Sequence, residues 1–194
     1  MNNDTDRHSG GKHGNWTVFA AMIASSIVTM FVLKYSNVYE ADHIFFSQTR
    51  MWMALMMGMA MIVIMLGFMW GMYRSRTVKW LVMGGAFAGF VLFYWLARWQ
   101  ATVEDEAWMK AMIPHHSIAI LTSRRAEISD PRVRELADEI IEAQVREIEE
   151  MKLLLADIEA NGERGDGTPI PPRTAELTPE LQREAREALE PVER

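Results

Sequence analysis

Three continuous apolar runs, none holding a charge, fill most of the first half of the chain. They are "WTVFAAMIASSIVTMFVL" at 16–33, "MWMALMMGMAMIVIMLGFMWGMY" at 51–73 and "WLVMGGAFAGFVLFYWLA" at 80–97. A hydrocarbon core of about 30 Å needs roughly 20 helical residues. The pattern therefore predicts three transmembrane helices. The first run is too long for a signal peptide, and no small-x-small cleavage site follows it. Trp16, Trp80, Tyr94, Trp95 and Trp99 fall near the run ends, where amphipathic rings favour the interface.

Past residue 97 the pattern becomes periodic. "RWQATVEDEAWMKAM" at 98–112 contains no Gly or Pro, so the third span is expected to continue straight into a soluble helix. Over 108–126, Met109, Met112, Ile113, His116, Ala119, Ile120 and Ser123 make one stripe at 3.6-residue spacing. His116 lies near its middle, whereas His115 is about 100° away and towards its edge. Pro114 removes a backbone donor, which predicts a kink or a restart there. In "SDPRVRE", Asp130 suits an N-cap and Pro131 the first helical position. That helix should run to about residue 160, with "NG" at 161 and 162 ending it. Its stripe is Val133, Ala137, Ile140, Ile141, Gln144, Ile148, Met151, Leu155 and Ile158, with Glu147 beside Gln144.

Folding about residue 129 makes a helical hairpin. It brings His116 opposite Gln144, and Met109 and Met112 level with Glu147 and Met151. A Gly/Pro-rich linker follows from 163, and Thr178 with Pro179 begins a short helix to about Leu189. The predicted fold is all-α. It comprises a flexible cytoplasmic tail (1–15), a three-helix membrane domain (16–97), an extracytoplasmic helical domain (98–162), and a linker with a C-terminal helix (163–194).

Charge orients this arrangement. The first 97 residues hold 7 Lys/Arg against 4 Asp/Glu, and the remainder 13 against 22. "RSRTVK" at 74–79 carries Arg74, Arg76 and Lys79, so the positive-inside rule makes it cytoplasmic. Arg7 and Lys12 agree with an inside N-terminus. The second half then lies outside a bacterial inner (cell) membrane, in the periplasm or at the cell surface. Its acidity excludes nucleic acid as a partner. Gly67 with Gly71, and Gly85 with Gly89, allow close helix approach in lipid. Packing inside this chain is the expected use, ahead of dimerisation.

There is no cysteine among the residues and methionine occurs 16 times. Disulfides, zinc-thiolate sites and thiol nucleophiles are excluded, and a soft metal would need thioether sulfur or imidazole. Met109, Met112 and His116 stand at i, i+3 and i+7 on one face, suitable for a shared Cu(I) or Ag(I) ion. The same stripe also suits an ordinary core, with methionine filling gaps and His116 hydrogen-bonded to Gln144. The second run holds nine methionines. Met53, Met57, Met61, Met65 and Met69 recur at i+4 and read as a pliable helix interface rather than a metal-conducting ladder. Glu40-x-x-His43, with Asp42, is a single weak metal motif in a loop. His8 and His13 read as incidental. No Ser-His-Asp set, phosphate loop or dinucleotide fingerprint is recognisable, so no enzymatic activity is expected.

"MIPHH" at 112–116, "DPRVRELA" at 130–137 and "IIEAQVREIEEM" at 140–151 resemble the family named domain of unknown function 305. "YEADHIFFSQTRMWMALMMGMAMIVIML" at 39–66 is similar to its membrane-anchored branch. The resemblance implies a ferritin-like helical fold, which for some members is a periplasmic copper-binding protein. If copper binding carries over, the matching positions are Met109, Met112, His115, His116 and Met151, with His115 as an exposed entry ligand. Only one His-His hairpin is present, half of the four-helix bundle that soluble members build. A homo-oligomer completing the bundle through the hairpin is therefore expected. The resulting expectation is a membrane-anchored protein that binds Cu(I) for homeostasis or delivery. Two alternatives are a structural or assembly subunit that partners another membrane protein without metal, and a small transporter component.

Overall fold

A computed structural model describes residues 15–187 and 189. The N-terminal tail to residue 14, with Arg7, His8, Lys12 and His13, lies outside them. Among the described residues there are six α-helices and no strand. The chain divides into two compact units. One runs to Ser36 and resumes over Ser47–Val103; the other comprises Asn37–Phe46 and the residues from Glu104 onward.

The first unit contains α1 (Trp16–Leu33), α2 (Gln48–Phe68) and α3 (Arg76–Trp99). All three are long and apolar enough to cross a membrane. Each begins at a polar cap: Asn15, Ser47 and Ser75 accept from the backbone N–H of Thr17, Arg50 and Val78. These caps satisfy donors that lipid could not. α2 packs against both α1 and α3. Phe19, Ile23, Leu66 and Tyr73 form a buried cluster, against which Met61, Met65 and Met69 pack. That half of the methionine stripe thus lies at a helix interface. At the α2–α3 turn, buried Lys79 donates to the Trp70 carbonyl (2.9 Å) and stands over the Trp70 ring (4.6 Å). Its cation is thereby satisfied at the end of α2.

One close approach falls on a glycine outside the G-x-x-x-G pairs and one on a glycine within them. A Cβ at Gly58 would lie 2.3 Å from Ile27 Cδ1, and one at Gly89 would lie 3.0 Å from Met59 Sδ. Positions 67, 71 and 85 meet nothing within 4 Å. Packing within the chain therefore accounts for Gly89 alone among the four motif glycines. Ile27 is β-branched and stiff, whereas the Met59 thioether can swing aside. Gly58→Val should destabilise α1–α2 packing by about 1–3 kcal/mol, and Gly89→Ala by less. Thermal unfolding of the detergent-solubilised chain would check the order.

Contrary to the expectation from its sequence, the helix of the third apolar run does not continue straight into the next helix. α3 stops at Trp99 because Gln100 is left-handed (φ 53°) and caps the helix, its N–H bonded to the Leu96 carbonyl. The Gln100 side chain donates to the Ala97 carbonyl (2.6 Å) and accepts from Thr49 Oγ1 (2.9 Å). A polar residue beyond the last apolar turn ended the helix without Gly or Pro.

In the second unit, α4 (Asp105–Arg125) packs against α5 (Pro131–Asn161). α4 passes through Pro114 as one helix, so of the kink or restart expected there the restart does not occur. α5 opens as its sequence dictates: Asp130 accepts from Arg132 N at 3.0 Å and Pro131 takes the first position. Hydrogen bonds from the Arg132 side chain and backbone lower the Asp130 carboxyl to about 2. Gly162, at φ 75°, ends the helix. Met109, Ile113, Ile120, Ile148 and Met151 form the core, with Met112, Ile141, Leu155 and Ile158 packed on it. α6 (Pro179–Glu187) follows Thr178, whose hydroxyl accepts from Leu181 N–H.

Candidate functional site

His116 projects from α4 and holds a partner at each ring nitrogen. Nδ1 lies 2.9 Å from the Met112 carbonyl, one turn back on the same helix. A carbonyl only accepts, so Nδ1 is assigned the proton. Nε2 lies 2.9 Å from Glu147 Oε2 on α5. Gln144 Nε2 donates to that same carboxylate oxygen at 3.3 Å. Gln144, expected to face His116 directly, instead buttresses its partner. The displacement from 144 to 147 is about one helical turn, the slack left when register is counted from a turn of assumed length.

The histidine side chain is 12 % exposed and that of Glu147 39 %. With Nε2 protonated the two form an imidazolium–carboxylate pair. With Nε2 free, the lone pair can serve a metal ion. A histidine oriented through Nδ1–H to a backbone carbonyl is the usual arrangement of a metal ligand.

The structure brings Met109, Met112 and Met151 into one cluster with Ile113 and Ile148. Met109 and Met151 are buried, and Met112 is partly covered. His115 is exposed, and its ring centroid lies 6.2 Å from that of His116 at an interplanar angle of 78°. The two histidines stand on different faces of α4, about 100° apart. Imidazole plus thioether is the donor chemistry of a soft monovalent ion.

A second polar group lies beside the core stripe of α4, against residues that sequence patterning left in a loop. Residues 37–46 pack onto the helix, and their anchor is Ser117, fully buried. Its Oγ accepts from Tyr39 N–H at 2.7 Å and pairs with His43 Nδ1 at 2.9 Å. Asp42 pairs with Lys152 Nζ on α5 at 2.6 Å, and Arg124 donates to the Tyr39 hydroxyl. The Lys152 hydrogen bond holds the Asp42 carboxyl below its usual range, so acid that protonates Asp42 releases this contact. Ser117 had a legible signal: it continues the line of Met109, Ile113 and Ile120 at helical spacing.

Glu40, Asp42 and His43 place ligand-type atoms within 4.8 Å of one another. Ser117 occupies Nδ1 of the histidine and Lys152 occupies the aspartate, so internal contacts account for both. Ser117, His43 and Asp42 also share residue types with a nucleophilic triad, the aspartate lying 3.7 Å from His43 Nε2. A serine with no exposed surface, already accepting a backbone N–H, reaches no substrate. The group works as a clasp. Ser117→Ala removes one hydroxyl and leaves the Tyr39 N–H and His43 Nδ1 without a partner. A loss of about 1–3 kcal/mol is expected, read as faster hydrogen exchange over residues 37–46.

Residues 94–167 match the family described as a domain of unknown function (DUF305). An uncharacterised protein, L153, of Acanthamoeba polyphaga mimivirus is 39 % identical over 67 residues, covering 34 % of this chain and 44 % of that relative. The chain thus spans less than half the length of the curated relative it matches. No solved structure matches it.

Proposed function

We propose, for a chain whose residues 94–167 belong to the DUF305 family, that it is a membrane-anchored protein binding Cu(I), or Ag(I), on the extracytoplasmic side for metal homeostasis or delivery. One observation carries this reading. The Met112 carbonyl fixes Nδ1 of His116 (2.9 Å) and so would orient Nε2 as a donor atom once Glu147, 2.9 Å from it, moves away, on a helix whose Met109 and Met112 join Met151 in one cluster. The thioethers of those methionines and His116 Nε2 would hold the ion, with His115 at the exposed edge.

Glu147 Oε2 lies 2.9 Å from Nε2 and would have to give way to the ion. Ion and proton then compete for one lone pair. Cu(I) affinity is accordingly expected to rise with pH, with proton release on binding. Anaerobic titration of the full chain in detergent, in competition with a chromophoric Cu(I) chelator at two pH values, tests both points. Failure to compete at either pH would sink the metal reading.

A second reading rests on the same Glu147 contact. If the His116–Glu147 pair is a permanent structural element, the protein is an assembly subunit for another membrane protein and binds no metal. In either case α4 and α5 form a helical hairpin, a ferritin-like half-bundle. Val133, Leu136 and Ile140 on α5 stay exposed, which favours a second copy completing the bundle. The mass of the detergent-solubilised chain, measured by light scattering, would report that association.

The proposed setting is a bacterial inner (cell) membrane. Three spans with Arg74, Arg76 and Lys79 inside put α4 and α5 outside. Residues 37–46 and 104 onward fold as one unit, which fits a loop and a domain on the same side of the bilayer. The role proposed is binding, not catalysis.

A further inference from the structure

We propose that Lys34 and Arg50 form a binding site for the phosphate of a membrane phospholipid headgroup. Lys34 directly follows α1 and Arg50 lies in the first turn of α2. Both therefore sit where apolar spans give way to polar chain, the depth at which headgroup phosphates lie.

Neither cation has a carboxylate. No ion pair among the described residues involves either one. Lys34 Nζ is shielded and lacks any hydrogen-bond partner. Burial, and then the neighbouring Arg50 charge, lower the Lys34 ammonium from its usual range. Lys79, the buried lysine at the α2–α3 turn, differs: it has both a carbonyl and an aromatic face.

Arg50 is held in place and left available. Nη1 donates to the Lys34 carbonyl at 2.6 Å, and the guanidinium stands 4.7 Å over the Tyr35 ring. Tyr35 is fixed in turn, its hydroxyl accepting from Ser47 N–H at 2.9 Å. The other guanidinium N–H groups have no acceptor among the described residues. They form a planar fork suited to two phosphate oxygens. The Lys34 ammonium, on a flexible four-carbon stem, can swing to a third. Val32 and Leu33, just before Lys34, are each 60 % exposed and can lie along an acyl chain. A phosphodiester would thus supply the counter-charge that two adjacent cations lack.

Native mass spectrometry of the full chain in non-ionic detergent tests this, with phosphatidylglycerol as probe and inorganic phosphate as competitor. Saturable binding of phosphatidylglycerol is expected, undisturbed by inorganic phosphate. Lys34→Met and Arg50→Gln should each weaken it about tenfold or more, as loss of a charge-assisted contact implies. Lys34→Arg should retain it. The Lys34 ammonium makes no hydrogen bond or ion pair among the described residues, and methionine keeps an unbranched apolar stem, so Lys34→Met is expected to yield folded, monodisperse protein, which keeps the test decisive. Wild-type lipid binding by Lys34→Met would overturn the proposal. Equal loss on Arg98→Gln would overturn it too, by reducing the effect to general basicity. Displacement by inorganic phosphate would make the site one for a soluble anion and refute the lipid assignment.

Discussion

Replacing His116 by alanine should weaken Cu(I) binding by roughly 100-fold or more while leaving the protein folded. The magnitude follows from removing a ligand outright, since losing only its supporting partner already costs about 10–100-fold in metal sites. The fold should survive because of what His116 leaves behind. Glu147 is 39 % exposed, so water solvates the freed carboxylate, and a partly exposed ion pair contributes only about 0–1 kcal/mol. Met109→Leu, Met112→Leu and Met151→Leu complete the experiment. Leucine fills nearly the same volume at a stability cost under about 1.5 kcal/mol, but has no donor sulfur. Each should lower Cu(I) affinity while circular dichroism stays unchanged. A pure core role predicts the opposite ranking: no effect of any substitution on a chelator competition that the wild type already fails.

Ile113→Ala should destabilise the second unit by about 2–5 kcal/mol. Ile113 is fully buried and lies in the cluster with Met109, Ile120, Ile148 and Met151. Truncation leaves a cavity that a helix pair clasped by residues 37–46 cannot easily close. The unfolding of this unit is best followed by hydrogen exchange over residues 105–161, because a chain with two units need not unfold in one step. Leu136→Ala is the internal control: that side chain is 52 % exposed, so its truncation should barely change exchange in an isolated protomer. If Leu136→Ala proves as damaging as Ile113→Ala, the exposed face of α5 is buried against another copy. Cu(I) binding should fall with Ile113→Ala as well, since it loosens the packing that gathers the three methionines. Paired with Met109→Leu, which should lose metal and keep stability, it separates a ligand from a core residue.

The elements of this protein were legible in its sequence wherever the deciding interaction was local. α1 coincides with the first apolar run at 16–33. Asp130, Pro131 and Gly162 bound α5 as expected, because capping involves residues only two to four positions apart. Periodicity likewise assigned Met109, Met112 and Met151 to facing stripes. Three features were decided only in the tertiary structure. α3 ended at Gln100 through a left-handed cap and a bond to Thr49, 51 positions away in sequence. His116 met Glu147 rather than Gln144, because register depends on how two helices slide past one another. Ser117 was buried by Tyr39 and His43, from a loop 74 or more positions earlier. A periodic pattern tells which face of a helix avoids water. It carries no information on which distant segment covers that face, since that depends on contacts between residues whose separation along the chain leaves no local mark.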